Sequence, residues 1–197
     1  MANGNLDRGR ATRERVIRAA TELFAAHGYD GTSTEAVLQA SGVSRGSLYH
    51  HFANKEALFM AVLEAMQERV AQDLAVAAAG LTDAVDVLRT GCIEWVRRAG
   101  DPVIRQVMLI DGPAVLGWRE FRAFDERMTL GAIRGALTEA ADAGRLPHRH
   151  VDVFAHIVLA TANEIAMMVA LADDREEAMR SGQAAVDEFL HRLLDPR

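Results

Sequence analysis

Between Thr34 and His51 the chain is cut by Ser41-Gly42-Val43-Ser44 into two pieces, each long enough for about two helical turns and no more. Ser33-Thr34-Glu35 supplies a hydroxyl N-cap followed by an acid in the first turn, which predicts a short helix to about Ala40. Gly42 can adopt the backbone conformation of a tight reversal, and Ser44 can cap a second short helix through His50. Upstream, Val16, Ala20, Leu23, Phe24 and His27 recur at three- and four-residue spacing, which sets them on one helical face, and Gly28 ends that helix. The opening third is therefore expected to be three helices, the last two joined by a glycine turn.

The remainder continues in helical periods. Asn54 is a candidate cap for a helix to about Ala79, with Leu58, Val62 and Met66 on one stripe beside Phe59 and Leu63. Gly80 breaks it, and Thr82 or Asp83 restarts a helix to about Ala99. Gly100-Asp101-Pro102 then gives stop, cap and first-turn proline in succession. A helix over Val103–Ile110 is expected to end in a turn at Asp111-Gly112-Pro113, and a long helix after Gly117 runs to about Gly144. Leu146–His150 is a loop, and helices over Val151–Ala172 and Asp174–Leu194 close the chain. β-branched residues seldom cluster, and there is no internal repeat. The expected fold is all-α with about nine helices, a three-helix module over residues 1–55 and a larger helical domain over 56–197.

Composition narrows the function classes. Half of the 197 residues are apolar and a quarter charged, as in ordinary globular proteins. The most apolar run, His156 to Ala172, is interrupted by Asn163 and Glu164, so no membrane span is expected. The first ten residues have no apolar signal core, and the expected location is the cytoplasm. The single cysteine, Cys92, cannot form an internal disulfide or supply a finger-type zinc site. His148 and His150 flank Arg149 without nearby cysteine or carboxylate and are taken as solvated, so no metal is expected. Glu94, Asp111 and Asp125 show no paired spacing, and there is no nucleophile elbow, phosphate loop or helical zinc motif. The chain is thus not expected to be an enzyme or to need a cofactor.

Charge is distributed unevenly. Residues 1–55 have a formal net charge of +2, while the chain as a whole carries −6. Arg8, Arg10, Arg13, Arg15 and Arg18 fall within eleven residues, as a phosphate-facing patch would; a solvated helix face is the alternative. A short helix, a glycine turn and a second short helix form the unit that places one helix in the DNA major groove, although such hairpins also serve as plain structural corners. The side chains of Ser44-Arg45-Gly46-Ser47-Leu48-Tyr49-His50 favour the DNA reading: a helix that only packed would carry more apolar residues. Arg45 can read guanine bidentately, Ser44 and Ser47 can reach bases or phosphates, and Tyr49, His50 and Lys55 can hold the DNA backbone.

The run from Thr34 through Phe59, with Gly42-Val43-Ser44-Arg45-Gly46-Ser47-Leu48-Tyr49-His50-His51-Phe52-Ala53-Asn54-Lys55-Glu56-Ala57-Leu58-Phe59 at its end, resembles the DNA-binding signature of the TetR family of bacterial regulators. Phe24, Gly28, Tyr29 and Thr32 match the positions that precede it, so the resemblance covers roughly the first third. Leu38 and Ser41 depart from it, since the family commonly has alanine there. The resemblance implies that Tyr49 and Lys55 contact phosphates, that Thr34 touches the backbone from the preceding helix, and that Arg45, Gly46 and Ser47 face the bases. It also implies a homodimer and a pocket for a small effector among the later helices.

Trp95, Met108, Trp118, Phe121, Phe124, Met167 and Met168 are the large or soft side chains that line adaptable apolar pockets, or that fill a core. Asn163 and Glu164 interrupt an apolar helix and must be paired, solvated or aimed at a ligand; with Asp111 they are the polar candidates for an effector site. The effector is expected to be apolar or aromatic, with a basic ligand answering Glu164 and Asp111 as the rival. Ala178, Gly182, Ala185 and Phe189 form a stripe on the last helix that predicts close helix approach, read as dimerisation through the last two helices. The expected function is a DNA-binding transcriptional regulator, a repressor released from operator DNA by a small effector. The alternatives are a regulator governed by a protein partner, and a helical binding protein or enzyme whose hairpin is merely structural.

Overall fold

The computed structural model describes residues 3–194, with side chains from Arg8; the outer limits of the two expected domains, residues 1 and 197, lie outside them. Among these residues there is no strand and there are nine helices: α1 Asn3–Gly31, α2 Thr34–Ser41, α3 Arg45–His51, α4 Lys55–Ala77, α5 Ala84–Arg98, α6 over residues 102–116, α7 Trp118–Asp142, α8 Val151–Leu171 and α9 Arg175–Leu194. The expected loop before α8 contains one 3-10 turn, His148–His150.

The chain divides into two compact units. One joins the residues through Gln67 to Pro102–Trp118, and the other joins Glu68–Asp101 to the residues from Arg119 onward. This differs from a boundary at residue 55. The start of α4 belongs with the first unit because Phe59 is fully buried and meets the Phe24 ring edge-on at 5.2 Å and the Tyr29 ring at 5.1 Å. Val16, Ala20, Val37, Leu48 and Phe52 complete that core. His27, expected on the same inward face of α1, is exposed.

α6 joins the first unit by a device not visible in the spacing. Asp111-Gly112-Pro113, expected as a turn, lies inside a helix. Residues Arg105–Asp111 widen into a π-helical segment, and the Gly112 N–H bonds the Val107 carbonyl five residues back. The wider turn lets the chain pass Pro113, which has no N–H for the usual four-residue bond, without ending the helix.

In the second unit, α5, α7, α8 and α9 surround an apolar cluster that includes Val96, Leu137, Ala155, Val158, Val186 and Leu190. Residues 148–171 are, by length and composition, apolar enough to cross a membrane, with mean hydropathy 1.7. Two polar residues lower such an average too little to exclude a span, contrary to the sequence reading. In this fold Ala155, Val158, Leu159, Ala162, Ala166 and Val169 of α8 are buried within the protein.

Gly182 is also buried, and a Cβ there would lie 2.8 Å from Ile165 Cγ2 and 3.4 Å from Val96 Cγ1. The small residue expected at a contact between subunits is thus used within the chain, where α9 approaches α8 and α5. Ala178 and Phe189 pack against the same core, while Ala185 faces solvent.

Candidate nucleic-acid interface

Each short helix begins on a serine. The Ser33 hydroxyl accepts the Ala36 N–H at 3.1 Å and the Ser44 hydroxyl accepts the Ser47 N–H at 3.2 Å. Gly42 takes the left-handed conformation, φ 65°, and its N–H closes α2 on the Leu38 carbonyl. α3 is anchored by Leu48, which is fully buried. Its outward face is polar: Arg45, Gly46, Tyr49 and His50 are exposed and Ser47 is half-buried. A Cβ on Gly46 would meet nothing within 4 Å, so close approach to that backbone is open. Ser44 uses an oxygen lone pair on the cap, and its O–H stays able to donate.

Arg45 and Thr34 share a partner that the sequence reading missed. Glu35 accepts from Arg45 Nη2 at 2.8 Å and from the Thr34 hydroxyl at 3.2 Å, which links α2 to α3 across the turn. The pair lies in solvent, with Arg45 and Glu35 side chains 61% and 56% exposed. The hydrogen bond from its own backbone N–H, and then those from Arg45 and Thr34, hold the Glu35 carboxyl below the usual range. Glutamate at that position gave only a first-turn acid in the sequence; its pairing ten residues on depends on the angle between the two helices.

Lys55 is half-buried, and its ammonium sits 4.0 Å from the centre of the Tyr29 ring. Asn54 accepts the Ala57 N–H at 2.7 Å and starts α4 there. Arg8, Arg10, Arg13, Arg15 and Arg18 are all exposed. At about 100° per residue they are spread around α1 rather than gathered on one face, and Arg13 lies against the Phe52 ring at 5.5 Å.

Behind the short helices, α1 kinks at Gly28, where φ is 70° and ψ 171°. The next N–H, of Tyr29, donates to Asp111 Oδ2 at 2.8 Å, and Gln106 Nε2 donates to Asp111 Oδ1 at 3.0 Å. The Thr32 hydroxyl donates to the Gly28 carbonyl at 2.9 Å. Burial raises the Asp111 pKa above the usual carboxylate value, against the pull of those two donors.

The expected effector residues are divided between the units. Met108, Asp111 and Trp118 fall in the first. Met108 is buried, Asp111 is committed to Tyr29 and Gln106, and Trp118 is 68% exposed. Trp95, Phe121, Phe124, Asn163, Glu164, Met167 and Met168 fall in the second. There the Trp95 indole N–H donates to Asn163 Oδ1 at 2.9 Å, the Asn163 amide donates to Asp125 Oδ2, and the Thr129 hydroxyl donates to Asp125 Oδ1 at 3.3 Å. Desolvation raises the Asp125 pKa. Phe124 is buried, Phe121 and Met167 are half-buried, and Glu164 and Met168 turn outward with Val153, Ile157 and Leu171. Of Asn163 and Glu164, only Asn163 is therefore turned inward. Asp125, set aside in the sequence for want of a paired carboxylate, is its partner. Among the described residues there is no cluster of three metal-ligating side chains.

Two capped short helices, a left-handed glycine between them and a polar outward face on the second define a helix-turn-helix protein of the DNA-binding type. Residues 16–62 match the family model for bacterial regulatory proteins of the tetR family. Residues 85–193, more than half of the chain, match that for the tetracyclin repressor-like C-terminal domain. The chain belongs to the TetR family. It is 43% identical over 58 residues to the HTH-type transcriptional regulator UidR of Escherichia coli K12, a match covering 29% of this chain and 30% of that protein. The chain thus matches under a third of the length of that curated relative. Over nearly its whole length it is similar in structure to a TetR-family transcriptional regulator from Pectobacterium atrosepticum, at TM-score 0.81 and 25% identity, covering 97% and 98% of the two chains. The transcriptional regulator FadR of Bacillus subtilis, solved with stearoyl-CoA, shares the fold at TM-score 0.69 and 20% identity, with 92% and 97% covered.

Proposed function

We propose that this protein is a homodimeric transcriptional repressor that binds operator DNA through α3 and is released by a small effector. The observation that carries the reading is α3 itself, a helix held by one buried leucine with Arg45, Gly46, Tyr49 and His50 exposed on it. Arg45 reads a guanine edge, and Gly46 lets the backbone approach the bases. Ser44, Ser47 and Tyr49 hold base edges or phosphates, and His50, Thr34 and Lys55 support the backbone contacts. The division of labour is residues 1–55 for DNA contact and most of 56–197 for effector and dimer, with the start of α4 and α6 packed on the DNA-binding helices.

A second protomer docks on α8 and α9. Val153, Ile157, Met168 and Leu171 are exposed and fall on one stripe of α8 with Glu164 among them, a mostly apolar face of the kind that a chain covers with a partner. Two DNA-binding units then meet a two-fold symmetric operator in successive major grooves, about 34–36 Å apart. The effector site is built from Trp95, Phe121, Phe124, Asn163 and Met167, where an indole, an amide and the Asp125 carboxylate meet among apolar side chains. FadR, solved with stearoyl-CoA, gives precedent for a bound ligand in this fold. The protein works in the cytoplasm, where its operator is.

The test is binding to the DNA upstream of the protein's own gene at two salt concentrations, with Arg45→Ala/Tyr49→Ala as control. Salt-sensitive binding lost in the double variant is expected. Absence of binding both there and in a genome-wide selection overturns the regulator reading.

A further inference from the structure

Glu35 touches both an exposed residue of α3 and an expected DNA contact of α2: its two carboxylate oxygens take hydrogen bonds from Arg45 Nη2 and from the Thr34 hydroxyl. We propose that Glu35 is a specificity-determining residue of the DNA-binding surface, which positions Arg45 for a guanine.

One physical effect supports this, and it rests on the regulator reading above. An unrestrained arginine on a surface samples many rotamers, and fixing them on binding costs entropy. Glu35 limits that sampling before DNA arrives. It uses Nη2 alone, so Nε, Nη1 and the second hydrogen of Nη2 remain available, enough for the paired contact to guanine O6 and N7. On a cognate site the held guanidinium meets its acceptor pair directly; on any other duplex it finds no matching pair, and the restraint brings nothing.

An exposed ion pair contributes little to folding, so the role is separable from stability. The experiment uses the full-length protein and two duplexes, an operator selected with the wild type from random DNA and a scrambled sequence of equal length. Dissociation constants are measured for wild type, Glu35→Gln, Arg45→Ala and the double variant, with thermal unfolding as a check on folding. Glu35→Gln is expected to lower the operator-to-scrambled affinity ratio roughly tenfold, chiefly by weakening binding to the operator. In the Arg45→Ala background the same substitution should change the ratio far less, because the residue it positions is gone. A ratio unchanged in Glu35→Gln, or lowered equally in both backgrounds, overturns the positioning role while leaving the regulator reading intact. A wild type with no salt-dependent binding to any duplex overturns both.

Discussion

Asp111 Oδ2 accepts the backbone N–H of Tyr29 at 2.8 Å across 82 positions of sequence. The bond ties the kinked end of α1 to the π-helical part of α6. The chain enters α2 and α3 directly after that kink, so the carboxylate fixes the point from which the DNA-binding helices start.

Removing it has a defined cost. Asp111 is 8% exposed, and Asp111→Ala strands the Tyr29 N–H and the Gln106 amide without their acceptor. Chemical denaturation should report a loss of about 1–3 kcal/mol. Operator affinity should fall in the same variant, because the helices that follow lose their anchor. Asp111→Asn, which keeps an acceptor oxygen, should lie between the two.

Gly28 sits at φ 70° and ψ 171°, a region that only glycine enters freely. A Cβ there would find only ordinary contacts, 3.5 Å to Gln106 Nε2 and 3.8 Å to Asp111 Oδ2. The cost of Gly28→Ala is therefore conformational, about 1–3 kcal/mol, and thermal unfolding should show it. A fall in stability together with an unchanged midpoint for Gly31→Ala, in α1 just beyond the kink, would separate backbone strain from general helix effects.

Gly182 fails for the opposite reason. Its backbone is ordinary helix, and the obstacle is Ile165 Cγ2 at 2.8 Å from an added Cβ. Gly182→Ala should destabilise by about 1–3 kcal/mol through overpacking, despite the better helix propensity of alanine. Pairing Gly182→Ala with Ile165→Leu, which takes the Cγ2 methyl off Cβ, should recover part of the loss in a thermal melt.

Asp125 gives a pH signature. Its carboxyl is raised above the usual value by burial, so in the window between the unfolded and folded values the native state holds a proton that the unfolded state has lost. Acidification through that window therefore favours the folded wild type, and rising pH removes the benefit. Asp125→Asn abolishes this titration. Its melting temperature relative to wild type should consequently fall as pH drops from neutral into the carboxylate range. A constant difference across that range would contradict the raised value.

Most of the helices and the polar chemistry of α3 were legible along the chain. Ser33, Gly42 and Ser44 cap or turn the chain through bonds spanning a few residues, and such local bonding is written in the order of side chains. Relations between distant residues come from how the helices pack. Gly182 was legible as a close approach but not as an approach to Ile165 of the same chain. Asn163 and Glu164 are neighbours on α8, yet one bonds Trp95 and Asp125 inside while the other faces solvent, since adjacent helical positions point about 100° apart. Pro113 signalled a turn because proline removes a four-residue bond, and only the π-helical widening of α6 shows how the helix continues past it. Glu35 with Arg45, and Tyr29 with Asp111, are pairings set by how helices cross, and no period along the chain encodes a crossing.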